Sequence, residues 1–152
     1  MRRDLLLSME LKSRPECLCA VRGAVAQVAE RLGFAEAECR AVVLALDEAL
    51  ANVIRHAYAG RPDRPIEVSL RRIRAPWRGA SREGLEIVLL DRGRKIDRAK
   101  LSGRPLDEVR PGGLGLHFIR ESMDAVEFRR IAGRNRLRLV RFLRVPRPPR
   151  DP

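Results

Sequence analysis

Leu46-Asp47-Glu48-Ala49-Leu50-Ala51-Asn52-Val53-Ile54-Arg55-His56-Ala57-Tyr58 reads as a helix that sets polar groups among small apolar ones. Glu48, Asn52 and His56 follow one another at intervals of four, so they share one helix face. Ala45, Ala49 and Val53 place that face next to the apolar stripe, where a polar group without a partner is costly to bury. A carboxylate followed one turn later by a carboxamide suits a Mg-nucleotide site, because Mg takes few protein oxygens beside phosphates. The carboxylate can then orient or deprotonate a nucleophile. Taken by itself, the pair fits a solvated helix face better than a site.

Outward from this stretch, the helix is predicted over 36–57, stopped by Gly60 and Pro62. Before it, Ser13 is an expected N-cap, with Pro15 and Glu16 in the first turn of a helix that ends at Leu32 and Gly33. Residues 4–12 read as a strand with Leu5, Leu7, Met9 and Leu11 on one face. After it come a strand carrying Ile66, Val68 and Leu70, a polar loop from Pro76 to Gly84, and a strand from Gly84 to Asp91. A Gly- and Pro-rich segment, Arg92 to Gly113, is expected to be a functional loop, a lid over a ligand. Leu114 to Met123 reads as a short helix, and 125–131 and 135–144 as strands joined by a Gly133-Arg134-Asn135 turn. Adjacent strand pairs with the helices set apart predict an α+β two-layer sandwich: a mostly antiparallel mixed sheet with helices on one face. One domain over 1–145 and a disordered Pro/Arg-rich tail over 146–152 account for the whole length.

The bulk composition narrows the class. Hydrophobic residues are 45% but aromatics only 4%, so the core is aliphatic and global disorder is excluded. No apolar run is long enough to span a bilayer, and the Leu5-Leu6-Leu7 triplet is interrupted too soon for a signal peptide, so a cytoplasmic location is expected. Cys17, Cys19 and Cys39 lack metal-ligand spacing and read as reduced thiols. The net charge of +12 is almost all arginine, with nine arginines and one acidic residue in 129–152. That charge suits an acidic protein partner, or none in particular, better than nucleic acid, since no aromatics interleave the arginines.

Two further motifs carry chemistry. Asp91-Arg92-Gly93 closes an apolar strand, where the aspartate can accept from an exocyclic amine and Gly93 lets backbone approach a flat base. Gly112-Gly113-Leu114-Gly115-Leu116 stands before a helix, where free N–H groups and the helix dipole favour phosphate. It is neither a P-loop, for no Lys-Ser/Thr follows, nor a dinucleotide fingerprint. Each motif alone also fits an ordinary turn or connector.

In this order, Glu48-Ala49 with Asn52 and His56-Ala57-Tyr58, then Asp91 with Gly93, then the Gly112–Gly115 loop with Leu116, the chain resembles the GHKL (Bergerat-fold) ATPases. It is most similar to the anti-sigma-factor serine/threonine kinases of the RsbW and SpoIIAB type, from the first strand to about Asn135. The resemblance implies the histidine-kinase-like ATPase fold, ATP and Mg as cofactors, and protein serine/threonine kinase activity. It implies Glu48 as general base, Asn52 as Mg ligand, Asp91 with Gly93 at the adenine, and Gly112, Gly113, Leu114, Gly115 and Leu116 over the phosphates. His56 and Tyr58 are expected to pack. The implied partners are a small antagonist protein as substrate and a sigma factor, with the chain as a homodimer and no direct nucleic acid or membrane contact. The alternative is a non-catalytic ATP-binding switch that controls a protein interface. Retention of Glu48 favours the enzyme, because a pure binder needs no base.

Overall fold

The computed structural model describes residues 1–96 and 115–144. Its elements run β1 (Arg2–Lys12), a short 3-10 turn (Pro15–Cys17), α1 (Leu18–Leu32), α2 (Glu36–Asn52) and a π-helical turn (Val53–Ala57). Then come β2 (Pro65–Trp77), β3 (Ala80–Asp91), α3 (Gly115–Ser122), β4 (Ala125–Ile131) and β5 (Arg134–Phe142). The five strands form one sheet in the order β1-β2-β3-β5-β4. All four ladders among the described residues are antiparallel, so the mixed component of the expected sheet does not occur there.

Strand alternation builds the core. Ile66, Val68 and Leu70 of β2 share one cluster with Leu85, Ile87 and Leu89 of β3, Leu137 and Leu139 of β5, and the stripe Val21, Val25, Leu46 and Leu50 of α1 and α2. Each of these side chains stabilises the fold by roughly 1.5–3 kcal/mol on burial. β2 switches phase beyond Leu70, and Ile73 and Ala75 join Val140 and Phe142 in a second small cluster, with the Trp77 ring stacked on Phe142 at 5.0 Å. Glu86 is fully buried and is held by Arg138 at 2.5 Å, Arg3 at 3.5 Å and Arg71 at 3.6 Å.

Several local expectations are corrected. The ladder from β1 to β2 slips between Leu5 and Leu7, which turns Leu5 out to solvent while Leu7, Met9 and Leu11 stay on the core. Pro76 to Gly84 is not a loop. β2 and β3 run on to a two-residue turn, Arg78-Gly79, with φ of +48° and +80°. The last hairpin turns at Ala132-Gly133, φ +51° and +75°, so Arg134 and Asn135 belong to β5. Both turns have the positive φ pair that matches strand twist. Ser13 does not cap a helix. Its buried hydroxyl donates to Arg61 O and accepts from Arg64 N, which ties the loop before β2 to the end of β1. Gly112, Gly113 and Leu114, residues 97–113 of the expected lid, and the 146–152 tail lie outside the described residues.

Candidate functional site

α2 ends in a π-helical turn immediately after Asn52. There the Tyr58 N–H reaches back five residues to Val53 O at 2.9 Å. Such turns are rare and concentrate at functional sites. Beyond the turn, the His56 and Ala57 carbonyls accept from Arg94, through Nε at 2.7 Å and the backbone N–H at 2.9 Å. Gly93 lies so close to this turn that a Cβ there would sit 2.5 Å from Ala57 O. Tyr58 closes the junction: its hydroxyl donates to Pro65 O at 2.5 Å and accepts from Arg92 N at 2.8 Å. The tyrosine thereby pins the start of β2 to the end of β3, a structural part beyond plain packing. Burial raises its pKa. His56 is half-buried, and desolvation, reinforced by the Arg55 and Arg94 charges, lowers its pKa.

A narrow slot of about 50 Å³ runs between α2, β3, α3 and the β4–β5 hairpin, with Ala49, Asn52, Leu89, Asp91, Ile119 and Asn135 on its walls. Lys95, Ile96 and Arg130 line it too. Asn52 is 5% exposed, and its Oδ1 has no hydrogen-bond partner among the described residues. Such an orphan acceptor costs about 1–3 kcal/mol unless something fills it. Asp91, also 5% exposed, directs Oδ1 to two donors, Gly93 N and Asn135 Nδ2, both at 2.8 Å. Burial raises the Asp91 pKa, and the Asn135 hydrogen bond, the Gly93 N–H and the Arg130 charge oppose that rise. Arg130 in turn donates from Nη1 to Asn135 Oδ1 at 2.7 Å and to Gly93 O at 3.1 Å.

Glu48 stands one turn before Asn52 but off the slot wall, under the start of α3. A Cβ on Gly115 would meet the Glu48 side chain, so glycine lets the start of α3 approach the carboxylate where it stands. Arg55 Nη2 lies 3.6 Å from Glu48 Oε1. Leu116 is buried, its side chain in the core and not over the slot. The structure therefore brings Asn52 and Asp91 to one cavity, with Glu48 and Gly115 paired beside it. Gly93 lies behind Asp91, on the wall of a neighbouring cavity.

Sequence reasoning missed Asn135 and Arg130. Asn135 reads in the sequence as part of a Gly133-Arg134-Asn135 turn, and only the β3–β5 register, which pairs it with Asp91, reveals its place.

The family model of the histidine kinase-like ATPase domain matches residues 11–141. The chain belongs to this family. Among curated relatives, this ATPase domain is 28% identical over 136 residues to the serine-protein kinase RsbW of Bacillus pumilus, covering 84% of this chain and 80% of the relative. It is 27% identical to the protein of the same name from Bacillus subtilis, covering 84% and 79%. Two solved structures share the fold at 16% identity. The RsbU and RsbW domains of a Mycobacterium tuberculosis protein align with TM-score 0.58 over 92% of this chain and 34% of that one. A chain of the SiaB-SiaC complex from Pseudomonas aeruginosa aligns with TM-score 0.56, covering 91% of each.

Proposed function

We propose that this ATPase domain is a protein serine/threonine kinase that serves as an anti-sigma factor. It would phosphorylate a small antagonist protein and hold a sigma factor when that antagonist is not available. The observation that carries the reading is the orphaned Oδ1 of buried Asn52, set between the Glu48–Gly115 pair and the acceptor Asp91. A pure structural helix gains nothing from an unpaired buried carbonyl. Relatives over four-fifths of the chain that bear the name serine-protein kinase support the activity.

The residues fit Mg-ATP. Asn52 Oδ1 is a hard oxygen of the kind Mg takes, alone or with one more protein ligand, beside phosphate and water. Mg-ATP supplies the transferable phosphoryl group, with the metal neutralising charge on it. Asp91 Oδ2 accepts from the adenine amine, while Asn135 and Gly93 hold the carboxylate still. Glu48 takes the proton from the attacking Ser or Thr hydroxyl of the substrate. Gly115 leaves room for that carboxylate, and Gly112, Gly113, Leu114 and Leu116 belong to the same phosphate loop in this reading.

The chain is read as cytoplasmic and homodimeric, with no direct nucleic-acid or membrane partner. No helix among the described residues is long and apolar enough to cross a membrane. Incubation with labelled ATP, Mg and the proteins that co-purify with the chain tests the proposal. Label on a serine or threonine of one small partner is the expected result. ATP binding without any transfer would replace the kinase with a nucleotide-dependent switch.

A further inference from the structure

Next to the junction held by Tyr58 lies a second cavity of about 500 Å³, walled by Arg61, Arg64, Arg92 and Arg94 with Tyr58 and Pro65. We propose that it is an anion site separate from the nucleotide slot, and that it takes a phosphomonoester dianion.

Among the described residues, little of the charge on its walls is compensated. Arg64 has one carboxylate near it, the exposed Asp63 at 3.7 Å. Arg94 gives Nε to the His56 carbonyl, an uncharged acceptor. The side chains of Arg61 and Arg92 have no partner among the described residues. Four like charges on one concavity repel one another, and a bound anion removes that repulsion. The positive field already reaches His56, where Arg94 helps to lower the imidazole pKa.

The walls are also fixed before any ligand arrives. Ser13, 1% exposed, binds the Arg61 and Arg64 backbones through its hydroxyl, and its N–H donates to Arg64 O at 2.8 Å. Tyr58, 5% exposed, holds Pro65 O and Arg92 N, and Ala57 O holds Arg94 N. Two buried hydroxyls and the Ala57 carbonyl thus set the backbone positions from which four guanidinium groups reach, which lowers the ordering cost of binding.

The chemistry selects phosphate. Guanidinium forks match its oxygens in pairs, and a phosphomonoester dianion offers three terminal oxygens and nearly two charges where a carboxylate offers two oxygens and one charge. The volume suits a small ligand or a single side chain. Nucleic acid is disfavoured, because the one ring on the walls, Tyr58, is buried and its hydroxyl is already engaged on both sides.

The dianion can come from a free metabolite or from a phosphorylated side chain of a partner, and calorimetry at fixed ionic strength separates these sources. The probes are O-phosphoserine, a nonapeptide centred on phosphoserine, and the same peptide with glutamate there. Saturable binding of the phosphorylated probes is expected with and without Mg-ATP, and at least tenfold more weakly in R61A/R92A. The glutamate peptide should bind at least tenfold more weakly than the phosphopeptide. Equal affinity for amino acid and phosphopeptide identifies a free ligand, and a much tighter peptide identifies a partner side chain. R61Q/R92Q, which keeps more of the side-chain bulk, replaces the alanine variant if that one melts early. No saturable binding, affinity unchanged in the variants, or displacement by Mg-ATP would overturn the proposal. The site does not depend on the kinase reading: if ATP fails to bind at all, the phosphorylated probes should still bind through Arg61 and Arg92.

Discussion

At the base end of the slot, Asp91, Asn135, Arg130 and Gly93 hold one another in place through four hydrogen bonds of 2.7–3.1 Å, with both bonds to Asp91 on its Oδ1. At the phosphate end, one turn along α2, Asn52 Oδ1 is buried with no hydrogen-bond partner among the described residues, and Glu48 Oε1 lies 3.6 Å from the Arg55 guanidinium. The base end is organised before any ligand binds, while the phosphate end holds groups whose partners have yet to arrive. Recognition of a flat base needs fixed acceptors, and stiff strands supply them. Chemistry on a phosphate needs groups that gain interactions late, because only those favour the transition state over the bound substrate.

The largest effect is expected from Glu48→Gln, which keeps shape and removes the base. Phosphoryl transfer should fall by roughly a hundredfold or more, the usual scale for general-base catalysis, with ATP affinity nearly unchanged by calorimetry. Transfer at the normal rate would leave the phosphate end without a catalytic role and favour the switch reading.

Asn52→Leu sharpens the contrast through stability. It replaces an orphan acceptor with an apolar group of similar size, so the ligand-free protein should gain up to about 1 kcal/mol. Mg-dependent ATP affinity should drop about tenfold, for loss of one charge-assisted interaction. A variant that melts lower and still binds Mg-ATP would show that the carboxamide serves the fold.

The smallest effect at neutral pH is expected at Asn135→Leu, about threefold in ATP affinity, on the scale of one neutral hydrogen bond. Its signature is in the pH dependence. Asp91 accepts more strongly when ionised, and burial raises its pKa, so ATP affinity should fall on acidification from a higher pH than an ordinary aspartate would give. Asn135 and Arg130 oppose that rise, and Lys95, Arg129 and Arg136 also line the slot. Removing the Asn135 bond therefore moves the acid limb to higher pH still. An unmoved limb would mean that Asn135 only fills space.

The same asymmetry explains what the sequence made legible. Element order, the apolar faces and the Glu48–Asn52 spacing follow from periodicity within one segment, so α2 and its polar face could be read directly. Asn135 could not, because its meaning comes from pairing with Asp91 across a ladder of 44 positions in sequence. The turn at Ala132-Gly133 was misplaced by a residue or two for a related reason: Asn is itself a turn former, and only register shows that it is paired. Pro76 misled in the same way, since a proline can sit within a strand when its ladder position needs no donor.

The π-helical turn carries a consequence for how this chain tolerates changes in length. It is in effect one surplus residue locked into α2, and everything after Val53 is phased by it. Deleting any one residue from Val53–Ala57 would let the ordinary helix close, rotating Tyr58 by about 100°. Its hydroxyl would then leave Pro65 and Arg92, and the register of two strands would lose its common anchor. The neighbouring loop at 59–64 sets no helical phase: a residue gained or lost there would disturb the bonds from Ser13 and Arg14 but would leave Tyr58 in place. Insertions and deletions among sequences with this turn should therefore collect after Tyr58 and avoid the five residues before it.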